Sequence, residues 1–414
     1  MRIGIVAARL GDVDGVSFET QKWQTVLTGL GHEVIRCAGS LGETRGPDDL
    51  IVPEMRFDDT AAADVTAAAF IPAADPRQVR AEINRLAAVI ATEVGRWIES
   101  AGIELLIVQN AWAIPMHLPL AVALANIVRA SGIPAIGHHH DYWWERERFE
   151  SCVVPEVLEA AFPPDLPSVQ HVSINSLAAA QLKERRGLDS TVVPNVFDFD
   201  EEMPPESAAD ARRLRRELGV AIGGLLFVQP TRVVPRKGIE LAVEMVARLR
   251  HPNSALLITS PAGDEGHQYL EELLDLAARR SVDLLYQPGR FHPGTVAPAA
   301  SPAHNLADGY IAADVITYPS FYEGFGNALI ESVYFRKLVV VNRYAVYDAD
   351  IRPHGFRFIE LSGEVTDAAV DELRDALADP ARQAADAERN FEIGREQFGY
   401  DRLRRELTAL IARA

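Results

Sequence analysis

The sequence predicts an α/β fold built from two doubly wound domains. The chain has 414 residues, which is more than one ordinary hydrophobic core accommodates. Short apolar runs alternate with helical stretches, and this alternation predicts parallel strands joined by helices. The segment 193–207, VPNVFDFDEEMPPES, interrupts the alternation with prolines and acids and has no periodicity. The alternation then restarts, so each half is expected to form its own parallel sheet.

Composition and charge argue against several classes of protein. A formal net charge of −18 argues against a nucleic-acid-binding surface, so no nucleic acid partner is expected. The two cysteines, Cys37 and Cys152, give no metal-binding spacing and no disulfide framework, which favours a reducing, cytoplasmic environment. The opening MRIGIVAAR is predicted to be a strand and not a signal sequence. No apolar run approaches the roughly 20 residues of a membrane span.

The predicted elements of the first half follow one another closely. The strands are 3–7, 33–36, 105–108, 135–137, 170–174 and 191–193, and the helices are 18–30, 78–100, 117–130 and 177–186. The segment 39–75 breaks this rhythm with glycine, proline, aspartate and a run of alanines without a clear period. It is predicted to be a long loop or insertion.

The second half repeats the strand–helix rhythm. Its predicted strands are 225–228, 255–259, 283–286, 315–318 and 338–341. An amphipathic helix at 401–413 ends the chain. The predicted domains are therefore 1–196 and 207–396, and the segment 397–414 carries the last helix.

The stretch 319–342, PSFYEGFGNALIESVYFRKLVVVN, carries the most chemistry. It is predicted to be a loop, a helix and a buried parallel strand. Glu323 precedes the helix and Glu331 lies inside it, and eight helical residues rise about 12 Å. Two carboxylates at that spacing suit opposite ends of an elongated polar ligand. The backbone N–H groups at the helix start suit an anion.

Three further loops follow predicted strands. Arg232 and Lys237 lie in PTRVVPRKGIE, at a strand's carboxyl end, where open α/β sheets bind ligands. Arg236 beside them is expected to be solvated.

In GHHHDYWWERERF, consecutive histidines alternate faces, which argues against a metal site. The remaining interpretations of these histidines are a hydrogen-bonded polar strand end and a substrate contact. The loop GDVDGVS lacks the G-x-G-x-x-G fingerprint and argues against a nicotinamide enzyme, but Gly15 lets the backbone approach a phosphate.

Together these motifs resemble the signatures of the retaining GT-B glycosyltransferases of family 4. Glu323 and Glu331 match the E-x7-E motif, and Arg232 and Lys237 match the family's diphosphate clamp. His140 followed by aspartate matches the histidine near the donor sugar, with His138 and His139 as alternatives. Two other matches are loose: VPNV lacks the glycine of the usual P-N-G-V-D, and SPAGDEG only partly matches a glycine pair.

The resemblance implies a fold, a chemistry and a set of site residues. It implies two Rossmann-like domains facing across a cleft, with residues 397–414 returning to the first domain. It also implies a nucleotide-diphosphate sugar as co-substrate, no required cofactor and no metal. The expected catalytic residues are His140, Glu323, Arg232 and Lys237. The expected donor-binding residues are Gly15, Val16, Arg232, Lys237, Glu323, Gly324, Phe325, Gly326, Asn327 and Glu331. Asp141, Trp143 and Trp144 are expected at the acceptor; the alternative for the tryptophans is packing at the domain interface.

The sequence leaves the substrates more open than the reaction. As a whole it resembles the subgroup that makes mannosylglucosylglycerate from GDP-mannose and glucosylglycerate or its phosphate. UDP-sugars or other nucleotide sugars remain alternatives, as do secondary-metabolite or thiol acceptors. A sugar-nucleotide epimerase and a non-catalytic donor-binding protein are the competing functions. The oligomeric state is not fixed, and a homodimer is one of the states the sequence allows.

Overall fold

The computed structural model describes residues 1–11, 14–43, 45–202, 207–263, 266–292 and 304–414. Within these ranges the chain forms two compact units. Unit 1 comprises Met1–Asn195 and Tyr400–Ala414, and unit 2 comprises Val196–Gly399. Parts of four segments singled out in the sequence, namely 12–13 of GDVDGVS, 44 of the segment 39–75, 203–206 of the linker and 264–265 of SPAGDEG, lie outside the described residues.

Unit 1 is a parallel sheet with helices between its strands. In the described part of the chain the sheet has seven strands in the order β3-β2-β1-β4-β5-β6-β7. The strands are β1 (Arg2–Ala7), β2 (Glu33–Ala38), β3 (Leu50–Ile51), β4 (Leu105–Gln109), β5 (Ala135–His139), β6 (Val169–Ser173) and β7 (Ser190–Val192). The helices are α1 (Gly15–Gly29), α2 (Thr60–Ala68), α3 (Pro76–Ala101), α4 (Leu118–Ser131), α5 (Pro155–Ala161), α6 (Ser176–Arg186) and, at the chain's end, α14 (Tyr400–Ile411).

The prediction of a loop at 39–75 was wrong, because this segment contains β3 and α2. Asp59 caps α2 by accepting a hydrogen bond from the Ala62 amide. The alanine run hid the helix because alanine has high helix propensity but too little contrast in hydrophobicity to show a period. Val65 and Ala62 are buried and pack α2 into the unit.

Unit 2 repeats the architecture with shorter strands. Its main sheet has six strands in the described residues, in the order β10-β9-β8-β13-β14-β15. These six strands are β8 (Leu226–Gln229), β9 (Ala255–Ile258), β10 (Asp283–Tyr286), β13 (Val315–Tyr318), β14 (Leu338–Asn342) and β15 (Ile359–Leu361), while β11 (Phe291–His292) and β12 (His304–Asn305) form a separate two-stranded sheet. The helices are α7 (Ser207–Glu217), α8 (Ile239–Leu249), α9 (Gln268–Arg280), α10 (Leu306–Ala312), α11 (Asn327–Tyr334), α12 (Asp367–Ala378) and α13 (Pro380–Phe398).

The strand orders place one switch point in each sheet. In unit 2 the chain runs from β8 outward to β10, and then returns to β13 and runs outward the other way to β15. In unit 1 the reversal falls between β1 and β4. Ligands of open α/β sheets bind beyond the carboxyl ends of the strands at such a reversal. The fold therefore directs attention to the loops that follow β8 and β13 in unit 2, and β1 and β4 in unit 1.

The last helix, α14, belongs to unit 1. Leu403, Leu407 and Leu410 are completely buried, and the Gln170 side chain donates a hydrogen bond to the Leu410 carbonyl at 3.0 Å. In the described ranges, no helix has both the length and the apolar character needed to cross a membrane.

Candidate active site

The loops after β8 and β13 bring Lys237 and Glu323 together in unit 2. Both residues are 8% exposed, and the Lys237 ammonium donates a short hydrogen bond to the Glu323 carboxylate. Ser320 also donates to Glu323 Oε1, at 2.7 Å. These residues are 86 positions apart in the sequence, and adjacent parallel strands make them neighbours.

Electrostatics keeps this pair charged. Burial would raise the pKa of Glu323, but Lys237 and Arg236 hold the pKa below its ordinary value. Burial lowers the pKa of Lys237, and Glu323 opposes that shift. Since each charge is compensated by the other, the carboxylate stays ionised and can accept hydrogen bonds.

The prediction that Arg236 is solvated was wrong. Its guanidinium lies 3.3 Å from Glu323 Oε2 and donates to the Tyr322 carbonyl at 3.2 Å. The reason is a 3-10 turn at Pro235–Lys237, which presents Arg236 and Lys237 to the same carboxylate. Arg232 lies in the same loop with an exposed side chain.

The start of α11 depends on a glycine. Gly326 has φ +132°, and a Cβ at this position would collide with the Tyr344 hydroxyl. That hydroxyl donates to the Phe325 carbonyl at 2.7 Å, and the Phe325 ring is buried against Phe398 with centroids 5.4 Å apart. Phe325 therefore faces a ligand only through its backbone. Gly324 and Asn327 lie on either side of these two residues, and the first amides of any helix lack intrahelical partners.

Glu331 lies on α11, and the Tyr310 hydroxyl donates to its carboxylate at 2.7 Å. Tyr310 is 1% exposed and comes from α10, so this contact joins two separate elements. Tyr310, Ser320 and Tyr344 were not predicted from the sequence as site residues. Ser320 could have been predicted, because it stands three residues before Glu323 in the chain. The two tyrosines could not, because they reach the site through tertiary packing.

In unit 1 the three histidines at the end of β5, His138 to His140, point to alternate sides, as predicted for extended chain. His138 stacks on Trp23 of α1 with centroids 4.1 Å apart and lies 4.5 Å from the His140 ring. His139 points the other way, and its Nε2 lies 3.1 Å from Nδ1 of His171. Among the described residues no group of three or more His, Cys, Asp or Glu side chains could hold a metal ion.

His140 is a neutral imidazole at neutral pH. Burial lowers its pKa to about 4, although the nearby carboxylates of Asp141 and Asp14 oppose this shift. Its Nε2 atom is buried and has no hydrogen-bond partner within the described residues. The Asn110 side chain, at the end of β4, accepts a hydrogen bond from the His140 amide at 3.0 Å. The ring thus carries a polar atom suited to a substrate hydroxyl.

The residues expected at the acceptor pack within unit 1. Asp141 is bound by the Arg146 guanidinium. Trp143 donates to the Phe162 carbonyl at 3.3 Å. Trp144 stacks on Tyr142 at 4.6 Å and donates to the Gln181 side chain at 2.9 Å. Each of these residues remains partly exposed, and the observed contacts explain their packing.

The start of α1 is capped by its own chain. The Asp14 carboxylate accepts hydrogen bonds from the Val16 and Ser17 amides at 2.9 and 3.0 Å. An anion at this helix start would have to displace or share with that carboxylate. Gly15 has open space where a Cβ would lie. The sequence analysis did not recognise Asp14 as an N-cap, although aspartate before a helix is a common cap.

The comparisons with known proteins agree with this architecture. The chain is 32% identical to "Mannosylglucosylglycerate synthase" of Thermotoga maritima, over 97% of this chain and 98% of that protein. It is 31% identical to the protein of the same name from Petrotoga mobilis, over 88% and 87% of the two chains. No known family profile matches.

Solved structures show the same fold at low sequence identity. The crystal structure of Anabaena Alr3699/HepE in complex with UDP and glucose superposes with a TM-score of 0.67 and 14% identity, covering 99% of both chains. WaaG, a glycosyltransferase involved in lipopolysaccharide biosynthesis, gives a TM-score of 0.58 at 14% identity over 96% of both chains. Together with the full-length relatives, these likenesses confirm the predicted fold: the chain belongs to the GT-B glycosyltransferases, in the family of the mannosylglucosylglycerate synthases.

Proposed function

We propose that this enzyme moves a hexosyl group, with retention, from a nucleotide-diphosphate sugar to a small hydroxylated acceptor. GDP-mannose is the proposed donor, and glucosylglycerate or its phosphate is the proposed acceptor. The observation that carries the proposal is the buried Lys237–Glu323 ion pair, joined by the partly exposed Arg236, at the switch point of unit 2. The names of the two full-length relatives support the choice of substrates.

In this proposal unit 2 binds the donor. Arg232 and Lys237 stabilise the negative charge that develops on the diphosphate as the bond to the sugar breaks, since cations fixed at developing charge lower the barrier. Glu323 holds sugar hydroxyls and Glu331 holds the ribose. The backbone of Gly324 to Asn327 faces the phosphates and the sugar, where the start of α11 favours negative charge.

Unit 1 would supply groups for the sugar and the acceptor. His140, with Nε2 unpaired among the described residues, would bond a sugar hydroxyl. Gly15 and Val16 would approach the donor, and Asp141, Trp143 and Trp144 would face the acceptor. The acceptor oxygen attacks the anomeric carbon on the face that the diphosphate leaves. The diphosphate departs with the bonding electrons and takes the acceptor's proton.

A transfer assay with purified enzyme tests this function. GDP-mannose with glucosylglycerate should give one α-linked product by NMR, and chelation with EDTA should leave the rate unchanged. Lys237→Met should lower kcat/KM by roughly 100-fold, the magnitude expected when one preorganised charge-stabilising group is lost. Lys183→Met, at a lysine of unit 1 that is 56% exposed, is the matched control.

Donor identity is tested separately by ligand-induced stabilisation. GDP at about 100 times its Kd should stabilise the protein by roughly 2.7 kcal/mol, and UDP and ADP should do so only at higher concentrations. Binding of UDP in place of GDP would exclude the proposed donor and keep the glycosyltransferase. Isomerisation of the donor without acceptor would instead show an epimerase.

A further inference from the structure

Two aromatic side chains stand exposed beside the buried ion pair of unit 2. Phe321 is 43% exposed and Tyr322 is 49% exposed, whereas the next residue, Glu323, is buried. Single exposed apolar residues are common on protein surfaces. Two consecutive exposed aromatic residues beside a charged site instead indicate a ligand contact, because aromatic side chains are enriched in the lining of ligand pockets.

The backbone and a glycine fix the position of Phe321. Its amide donates to the Arg236 carbonyl at 2.9 Å, and the carbonyl of Ser320 before it accepts from the Asn342 side chain at 3.1 Å. The ring rests against Gly238, where an added Cβ would lie 3.0 Å from ring atom Cε2. One part of the ring is therefore supported by the protein while the rest faces solvent.

Charged and polar groups adjoin this ring in the same turn. Ser320 donates to Glu323, and Arg236 bridges the Tyr322 carbonyl and the Glu323 carboxylate. A pyranose ring has the matching chemistry, since its hydroxyls lie around the rim and its C–H groups form apolar faces. An aromatic ring next to hydrogen-bonding groups can thus contact the face of a sugar while those groups hold its hydroxyls.

We infer that Phe321 is a stacking platform for the pyranose ring of a substrate and so helps to determine specificity for sugars. This inference rests on the proposed function of the same site. A nucleobase is the competing ligand, because bases also stack on aromatic rings. The sugar is favoured because the ring is two residues from Glu323, the proposed sugar ligand, whereas Glu331, the proposed ribose ligand, lies further along the chain on α11.

The pyranose can belong to the donor or to the acceptor, and two measurements distinguish them. Calorimetry compares the affinity for GDP-mannose with that for GDP, which differs only in the sugar. Steady-state kinetics gives the KM for glucosylglycerate. Phe321→Ala should weaken one of these sugar-dependent quantities about tenfold and leave GDP affinity unchanged. Phe321→Tyr, which keeps the ring, should restore the loss.

Leu274→Ala is the matched control, since Leu274 is an apolar residue of unit 2 with 42% exposure on α9. A loss in the GDP-mannose comparison assigns the ring to the donor sugar, and a loss in the acceptor KM assigns it to the acceptor. If Phe321→Ala behaves as Leu274→Ala does, or weakens GDP itself, the inference is wrong. Wild-type enzyme that binds GDP-mannose without transferring it would overturn the proposed function but not the platform, which the binding comparison measures independently.

Discussion

At the scale of single residues, the unusual group is a glutamate that is buried and yet charged. Glu323 is stabilised by Lys237, Arg236 and Ser320. In the proposed function this cluster has two uses, because Lys237, which stabilises Glu323, is also the proposed cation for the diphosphate. Donor binding would then redistribute the same hydrogen bonds and would not require new ones.

Breaking this pair should affect stability and activity differently. Lys237→Met should lower the free energy of unfolding by roughly 3 kcal/mol, at the low end for loss of one partner of a buried ion pair, because Arg236 still contacts Glu323. Glu323→Gln should also destabilise. The double variant Lys237→Met/Glu323→Gln should be more stable than the sum of the two losses predicts, by roughly 1–3 kcal/mol of coupling energy.

Urea unfolding of the four proteins measures this coupling, and transfer assays accompany it. The double variant should recover stability without recovering transfer, because both side chains would be absent from the reaction. Additive losses of stability would show that the two residues do not interact energetically and would contradict the ionic pair seen here.

At the scale of elements, the strands and helices that were given ranges from the sequence match the structure to within three residues, whereas β3, β11, β12 and β15 were not predicted. β10 and β13 match the predicted ranges, and β1 begins one residue earlier than predicted. β1 and β13 are visible because buried parallel strands are continuous apolar runs. The helix α2 was missed, since alanine lacks the contrast on which periodicity depends.

The turn into α11 illustrates how one residue controls an element. Gly326→Ala should destabilise the protein by at least 2 kcal/mol, because φ is +132° and the new Cβ would meet the Tyr344 hydroxyl. Adding Tyr344→Phe should relieve the collision but not the backbone strain, and so restore only part of the stability. Thermal denaturation measures the stability of the single and double variants, and GDP binding measures whether they keep their affinity for the nucleotide.

Gly95→Ala provides the control for this substitution. Gly95 lies within α3 with open space around its Cβ position, so alanine there should stabilise by roughly 0.5–1 kcal/mol. Equal effects of the two alanines would mean that the turn before α11 tolerates a side chain, and the close approach of Tyr344 would then have no energetic consequence.

At the scale of the whole molecule, the sequence predicted the motifs better than it predicted their surroundings. Glu323, Lys237 and His140 could be found because each lies in a loop directly after a strand. Contacts made by distant segments could not be found, since Tyr310 contacts Glu331 from another helix and Trp23 contacts His138 from α1. Such contacts depend on strand order, which the local pattern does not specify.

The buried histidines of unit 1 should make the protein sensitive to mild acid. Burial is the main cause that lowers the pKa of both His140 and His171 to about 4, from an ordinary value of 6.5. Between these values the unfolded chain binds protons that the folded chain does not bind. Unfolding then takes up protons, so the free energy of unfolding should fall as the pH decreases from 6.5 towards 4.

The slope between pH 5 and 6.5 reports mainly the histidines, because the carboxylates whose pKa is held down titrate below this range. Glu323 also loses stabilisation in acid, since its pKa is held down, but it does so below about pH 4.5. Urea unfolding between pH 5 and 6.5 should therefore report the histidines, with a slope of up to roughly 1.4 kcal/mol per pH unit for each proton. His171→Asn and His140→Asn should each reduce that slope. An unchanged slope in both variants would show that these imidazoles bind protons equally in the folded and unfolded chain, and the neutral state of His140 would no longer follow from its burial.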